Sequence, residues 1–255
     1  MLVLGICSLK GGVGKTSVTL GLASAALEAG LRTLVIDLDP QGDTTMALAP
    51  ERAQGDVAAV LSDPGRDTVE QATALSGWAR SGLDVLVGSE RSAAHDRLEE
   101  ADSDRLRYAL SWLGPYDLVL VDCPPSLGGL TRTGLAACDR AMVITEPGLF
   151  AVMAVGRALR TIDQLRRGPA PGLQPLGVVV NRFRARSIEQ AYRLEELARL
   201  YGPLVLSPVI PERAALQQAQ GAARPIHSWP GEAARELSAA FEQLLDRAMR
   251  APRRS

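Results

Sequence analysis

A short apolar run, Leu2-Val3-Leu4-Gly5-Ile6-Cys7, leads into Lys10-Gly11-Gly12-Val13-Gly14-Lys15-Thr16-Ser17, and from Ser17 to Ala29 the pattern becomes helical. Few folds accommodate that succession. The apolar run suits a buried parallel strand, the glycines a tight turn, and the helix must start where the turn ends. Gly11, Gly12 and Gly14 let the backbone aim its N–H groups inward, and the helix N-terminus adds its partial positive charge. The loop is therefore a cradle for a polyphosphate. Lys10 and Lys15 are the only lysines in the 255 residues; apart from two histidines, every other basic side chain is arginine. A compact, mobile point charge is kept where phosphate chemistry calls for it in place of a planar fork.

In such a loop Lys15 reaches the β- and γ-phosphates and the Thr16 hydroxyl binds Mg²⁺, an ion that keeps most of its waters and takes few protein ligands. The general pattern G-x-x-x-x-G-K-[ST] is not met, because its first glycine falls on Leu9; a second lysine, Lys10, opens the loop instead. That variant resembles the deviant Walker A motif, K-G-G-x-G-K-[ST], of the ParA/MinD superfamily of P-loop ATPases. Asp37-Leu38-Asp39-Pro40-Gln41-Gly42 is similar to the family's D-x-D-P-Q-G, which ends the second strand and opens the first switch region. Leu118 to Val121 with Asp122-Cys123-Pro124-Pro125 looks like its Walker B strand and second switch. Val178-Val179-Val180-Asn181 and Val209-Ile210-Pro211 look like its adenine-binding elements. Among relatives, D-P-Q-G points to ParA-type partition and positioning ATPases.

The resemblance implies ATP and Mg²⁺ as cofactors and a weak, partner-stimulated ATPase. Nucleotide binding falls to Lys10, Gly11, Gly12, Val13, Gly14, Lys15, Thr16 and Ser17, with the Asn181 amide on the adenine edge and Pro211 beside the base. Lys10, Lys15 and Asp39 form the catalytic set, Asp39 positioning or deprotonating the attacking water. Thr16 ligates Mg²⁺, and Asp39 and Asp122 hold it through water. Asp37 either orients the magnesium shell or caps a turn, and Asp43 is read as a turn cap. In the family the signature lysine, here Lys10, reaches across a nucleotide-sandwich dimer to the other subunit's phosphates. An ATP-bound homodimer and a ParB-like or other stimulating partner are thus implied.

The rest of the chain predicts an α/β fold: a single domain over 1–255, a doubly wound, mostly parallel sheet flanked by helices, with 251–255 a flexible basic tail. Strands are expected at 83–87, 118–122, 141–144, 176–180 and 204–206, and short helices and loops between Asp43 and Thr68. An acidic run from Glu99 to Asp104 leads into a helix carrying Leu106, Leu110 and Leu113. No window approaches the roughly 20 apolar residues of a membrane span, and the N-terminus lacks the basic lead of a signal peptide, so a cytoplasmic location is expected. Cys7, Cys123 and Cys138 have no C-x-x-C spacing and read as small buried hydrophobes.

Charge is unevenly divided. Residues 1–181 carry 16 Lys+Arg against 21 Asp+Glu, and residues 182–255 carry 12 Arg against 8 acidic residues, so the C-terminal part is the basic one. Partition ATPases bind DNA non-specifically through this region as ATP dimers, which nominates Arg182, Arg184, Arg186 and Arg213 and a nucleoid-associated location. The chain departs from the family after Pro211: the common R-x-x-R-x-x-E-A is replaced by Glu212-Arg213-Ala214-Ala215-Leu216-Gln217-Gln218-Ala219. Two alternatives follow, a switch acting on a protein cargo without DNA and a MinD-like membrane-associated ATPase. The latter needs an exposed amphipathic terminal helix, whereas Leu237, Phe241, Leu244 and Leu245 suit packing against the body.

Overall fold

The computed structural model describes residues 1–79, 81–97 and 103–251. Seven strands form one sheet: β1 (Leu2–Cys7), β2 (Thr33–Asp37), β3 (Thr73–Leu75), β4 (Leu83–Leu86), β5 (Leu118–Asp122), β6 (Arg140–Thr145) and β7 (Gln174–Val180). Their order is β3-β4-β2-β5-β1-β6-β7, and every neighbouring pair is parallel except β3 with β4.

The central strands are apolar without interruption because both faces are covered. Val3, Leu34, Ile36, Val119 and Val121 face a core completed by α3 (Val57–Ser62), α4 (Arg66–Ala72), α5 (Arg105–Leu110), α6 (Gly129–Ala136), α7 (Ala151–Arg167) and α8 (Ile188–Tyr201). Leu2, Leu4, Ile6, Val35, Leu118 and Leu120 face the other core, built with α1 (Lys15–Glu28), α2 (Asp43–Leu48), α9 (Ala214–Gly221) and α10 (Glu232–Arg250). Helix α1 is buried on nearly all sides, and its Gly21 is the notch into which the Phe241 ring of α10 fits, since a Cβ there would overlap that ring. Leu237, Phe241, Leu244 and Leu245 are all buried, as their spacing predicted.

Two expectations are corrected, and one strand was not foreseen. Residues 204–206 form no strand: Gly202–Leu204 is a 3-10 turn, and Val205 makes a single bridge to Val178, because Pro203 and Pro208 remove ladder donors on either side. Strand β3 has no counterpart in the sequence reading. Helix α5 stops at Leu110, short of Leu113. Residues 99–102 of the acidic run and 252–255 of the basic tail lie outside the described residues. All three cysteines are free and buried, and burial pushes the Cys7 thiol up to about 12.

Candidate nucleotide site

Strand order reverses at β1, which lies between β5 and β6, and the carboxyl ends of β1, β2 and β5 there deliver the loops that build the site. Gly12 and Gly14 adopt φ of 80° and 81°, the left-handed conformation that lets the chain turn from β1 into α1. Gly14 is constrained twice, because a Cβ would also collide with the Asn181 amide. Asn181 Nδ2 donates to the Val13 carbonyl at 2.8 Å, and the Arg182 guanidinium donates to the Gly12 carbonyl at 2.6 Å and to Glu146 at 2.8 Å. Two consecutive residues after β7 thus hold the loop in shape.

Parallel pairing of β2 with β5 sets Asp37 opposite Asp122. Asp122 is fully buried and saturated: Oδ1 accepts from Lys15 (3.3 Å) and Thr19 (3.2 Å), Oδ2 from Thr16 (2.9 Å) and Thr44 (2.5 Å). Lys15 also lies 3.4 Å from Asp39. Burial by itself would depress the Lys15 pKa, but Asp122 and Asp39 outweigh it and hold the ammonium above its ordinary value. Asp37 is pushed up to about 7, first by burial and then by the Asp122 charge, although Thr45 donates to it through both N and Oγ1 at 2.8 Å. Asp37 therefore anchors the start of α2. Asp43 is the first residue of that helix and lines the cavity; Gly42, with φ 69°, takes the cap position expected of it.

These groups border a cavity of about 700 Å³ whose lining includes Lys10, Lys15, Thr16, Asp39, Arg182 and Gln220. Lys10 is exposed and makes no ion pair among the described residues, whereas Lys15 is buried and neutralised. Asn181 and Pro211 do not line this cavity: Asn181 is spent on the loop, and Pro211 borders a separate space of about 380 Å³ with Phe183 and Arg213. The Thr16 hydroxyl beside the Asp122 carboxylate is an all-oxygen set suited to a hard cation. Among the described residues no cluster of three His, Cys, Asp or Glu side chains forms a cage.

The arginines nominated for DNA are mostly engaged. Arg184 pairs with Glu212, Arg213 with Glu236 and Arg182 with Glu146, leaving Arg186 as the exposed one with no ion pair described. Arg182, Arg184 and Arg213, nominated from the sequence, are thus held in ion pairs with carboxylates distant along the chain. The sequence reading missed Thr19, Thr44 and Gln220. Thr19 follows Lys15 by one helical turn and was legible from that spacing; Thr44 and Gln220 lie in polar stretches without periodicity.

Residues 1–174 match a family model described as an AAA domain. The chain is 30% identical over 242 residues to the chromosome partitioning protein ParA of Caulobacter vibrioides, covering 88% of this chain and 85% of that one. It is 31% identical over 218 residues to the chromosome-partitioning ATPase Soj of Thermus thermophilus, covering 85% and 83%. The chain belongs to the ParA/MinD superfamily. A crystal structure of cobyrinic acid a,c-diamide synthase from Mycobacterium smegmatis, with bound ATP analog and magnesium, superposes with a TM-score of 0.78 at 29% identity, covering 96% of this ParA/MinD chain and 93% of that one. The likeness runs past the matched AAA segment and takes in α8 to α10.

Proposed function

We propose that the chain is a single-domain, dimerising, weakly active Mg²⁺-dependent ATPase that cycles on and off DNA to segregate or position a cargo. ATP supplies the transferable γ-phosphoryl group, and Mg²⁺ neutralises charge on it. Loop amides from Gly11 to Thr16 and the Lys15 ammonium bind the phosphates, with Ser17 next along α1. Thr16 would ligate Mg²⁺ through its hydroxyl and Asp122 would hold the ion through water, the ion supplying charge neutralisation on the phosphates, and Asp39 would orient the attacking water.

The contrast between the two lysines carries this reading. Lys15 is committed to the floor of its own site, while Lys10, exposed and with no ion pair among the described residues, is free to reach phosphates held by a second subunit. Loss of the γ-phosphate then dissolves the dimer. A ParB-like or other partner stimulates hydrolysis. The location is cytoplasmic and nucleoid-associated. No described helix is long and apolar enough to cross a membrane, and the apolar side of α10 is buried, which supports DNA over a lipid surface.

A second reading, a protein cargo without DNA, is favoured by the pairing of Arg184 and Arg213 with carboxylates. DNA co-sedimentation with ATP, with ADP and without nucleotide, at two salt concentrations, separates the two. ATP-dependent, salt-sensitive sedimentation supports the nucleoid reading, and its absence alongside ATP-dependent dimerisation supports the protein cargo.

A further inference from the structure

Where the chain turns from β6 into α7, three large apolar side chains stand in water: Leu149, Phe150 and Met153 are 61%, 67% and 66% exposed. Single exposed apolar residues are ordinary on a protein surface, but a run of them beside a concave apolar space marks an interaction site. Leu149 and Phe150 border such a space, a cavity of about 270 Å³ lined also by Val13, Val143 and Val155.

Cations surround the patch. Lys10 and Arg157 belong to the cavity lining, and Arg157 and Arg160 follow Met153 along one side of α7, four and seven residues on. All three are exposed and make no ion pair among the described residues. The one carboxylate in the lining, Glu146, is already held by Arg182 at 2.8 Å.

We infer that this face docks an acidic amphipathic segment of another protein, a helix that sets apolar side chains on Leu149, Phe150 and Met153 and carboxylates against Lys10, Arg157 and Arg160. A second copy of the chain fits poorly, because a two-fold contact through this patch sets three cations against the same three. DNA matches the cations and leaves the apolar side chains without a partner. A lipid surface matches both but is flat, whereas the cavity is concave. A carboxylate paired with Lys10 withdraws that lysine from a second subunit's phosphates, so docking opposes ATP-dependent dimerisation; this consequence alone rests on the function proposed above.

Fluorescence anisotropy of a labelled, designed helix with leucines along one side and glutamates beside them tests the docking. A matched helix with lysines for glutamates, duplex DNA and phosphatidylglycerol vesicles are the parallel arms. Wild type is expected to bind the acidic helix about tenfold or more tighter than the lysine helix. Phe150→Ala and Met153→Glu should each weaken that binding about tenfold, and Arg157→Glu should weaken the acidic helix while strengthening the lysine one. These side chains are exposed, and unchanged melting temperatures separate lost docking from lost folding. Absence of acidic-helix binding, equal binding of both helices, or an Arg157→Glu variant that changes neither overturns the inference. So does preferential binding of DNA or vesicles through the same residues, or wild-type self-association that Phe150→Ala abolishes. An ATP dimer that persists with the helix bound overturns the competition alone, and a chain that binds the helix yet never dimerises with ATP overturns the proposed function and leaves the docking site standing.

Discussion

Lys15 Nζ lies 3.3 Å from Asp122 Oδ1 at the base of the phosphate loop, both side chains buried. Lys15 neutralises this carboxylate and lies 3.4 Å from Asp39 as well; under the proposed function, nucleotide binding would exchange those counterions for phosphate. Lys15→Ala would leave two close carboxylates without a cation. Besides losing ATP binding, the nucleotide-free variant is expected to lose about 3–5 kcal/mol of stability, as for other broken buried pairs. Urea denaturation without ligand measures it, and wild-type stability would mean that the pair contributes nothing to the fold.

Lys10 and Asp39 are expected to fail in opposite directions. Lys10→Ala should retain nucleotide affinity yet stay monomeric with ATP, while Asp39→Ala should bind ATP and remain dimeric because hydrolysis stalls. Light scattering after gel filtration with ATP reads both states. A monomeric Asp39→Ala would remove Asp39 from the hydrolytic role.

The buried His227 bonds through Nδ1 to Ser24 Oγ at 2.7 Å, and its Nε2 lies 3.4 Å from Glu242. Burial depresses its pKa, against the opposing pull of Glu242 and Glu28. The unfolded chain, with a histidine pKa of about 6.5, takes up the proton first, so this contribution is complete above about pH 6.5 and is lost as pH falls below it. Asp37, raised to about 7, works with the opposite sign, since its contribution fades as pH climbs from about 4 toward that value. Melting temperatures of wild type and His227→Asn between pH 5.5 and 8 isolate the histidine. The variant should lose less stability on acidification, and parallel curves would exclude His227 as the source.

Gly21 faces the Phe241 ring with no room for a methyl group. Gly21→Ala is expected to cost about 1–3 kcal/mol by overpacking, despite the better helix propensity of alanine. Phe241→Leu in the same chain should recover part of that loss, and a double-mutant cycle by thermal melting measures the coupling.

The parts of this molecule that could be read from its sequence are those in which neighbours along the chain decide the outcome. Apolar runs such as Leu118 to Val121 read as buried strands because both sheet faces are covered. The glycines and lysines from Lys10 to Lys15 read as a phosphate loop because their chemistry is local. Thr73–Leu75 is too short and too mildly apolar to announce itself, and it becomes a strand only by pairing antiparallel with β4. The ion pairs of the arginines after Asn181 had no local sign because their partners are remote, Glu146 lying 36 residues before Arg182 and Glu212 lying 28 after Arg184. Asn181 was legible as a strand-end amide near the site, but its bond to Val13 depends on a crossing of 168 residues that no local pattern encodes.

The notch at Gly21 belongs to α1, and the ring that fills it belongs to α10, far along the chain at Phe241. During translation α1 therefore leaves the ribosome with its outer face uncovered, and that face stays open until residues 232–250 follow. A chain cut short before Phe241 would carry a complete phosphate-loop sequence on an unsupported helix. Support for the helix that carries the phosphate loop thus depends on a contact that closes only when α10 has joined α1.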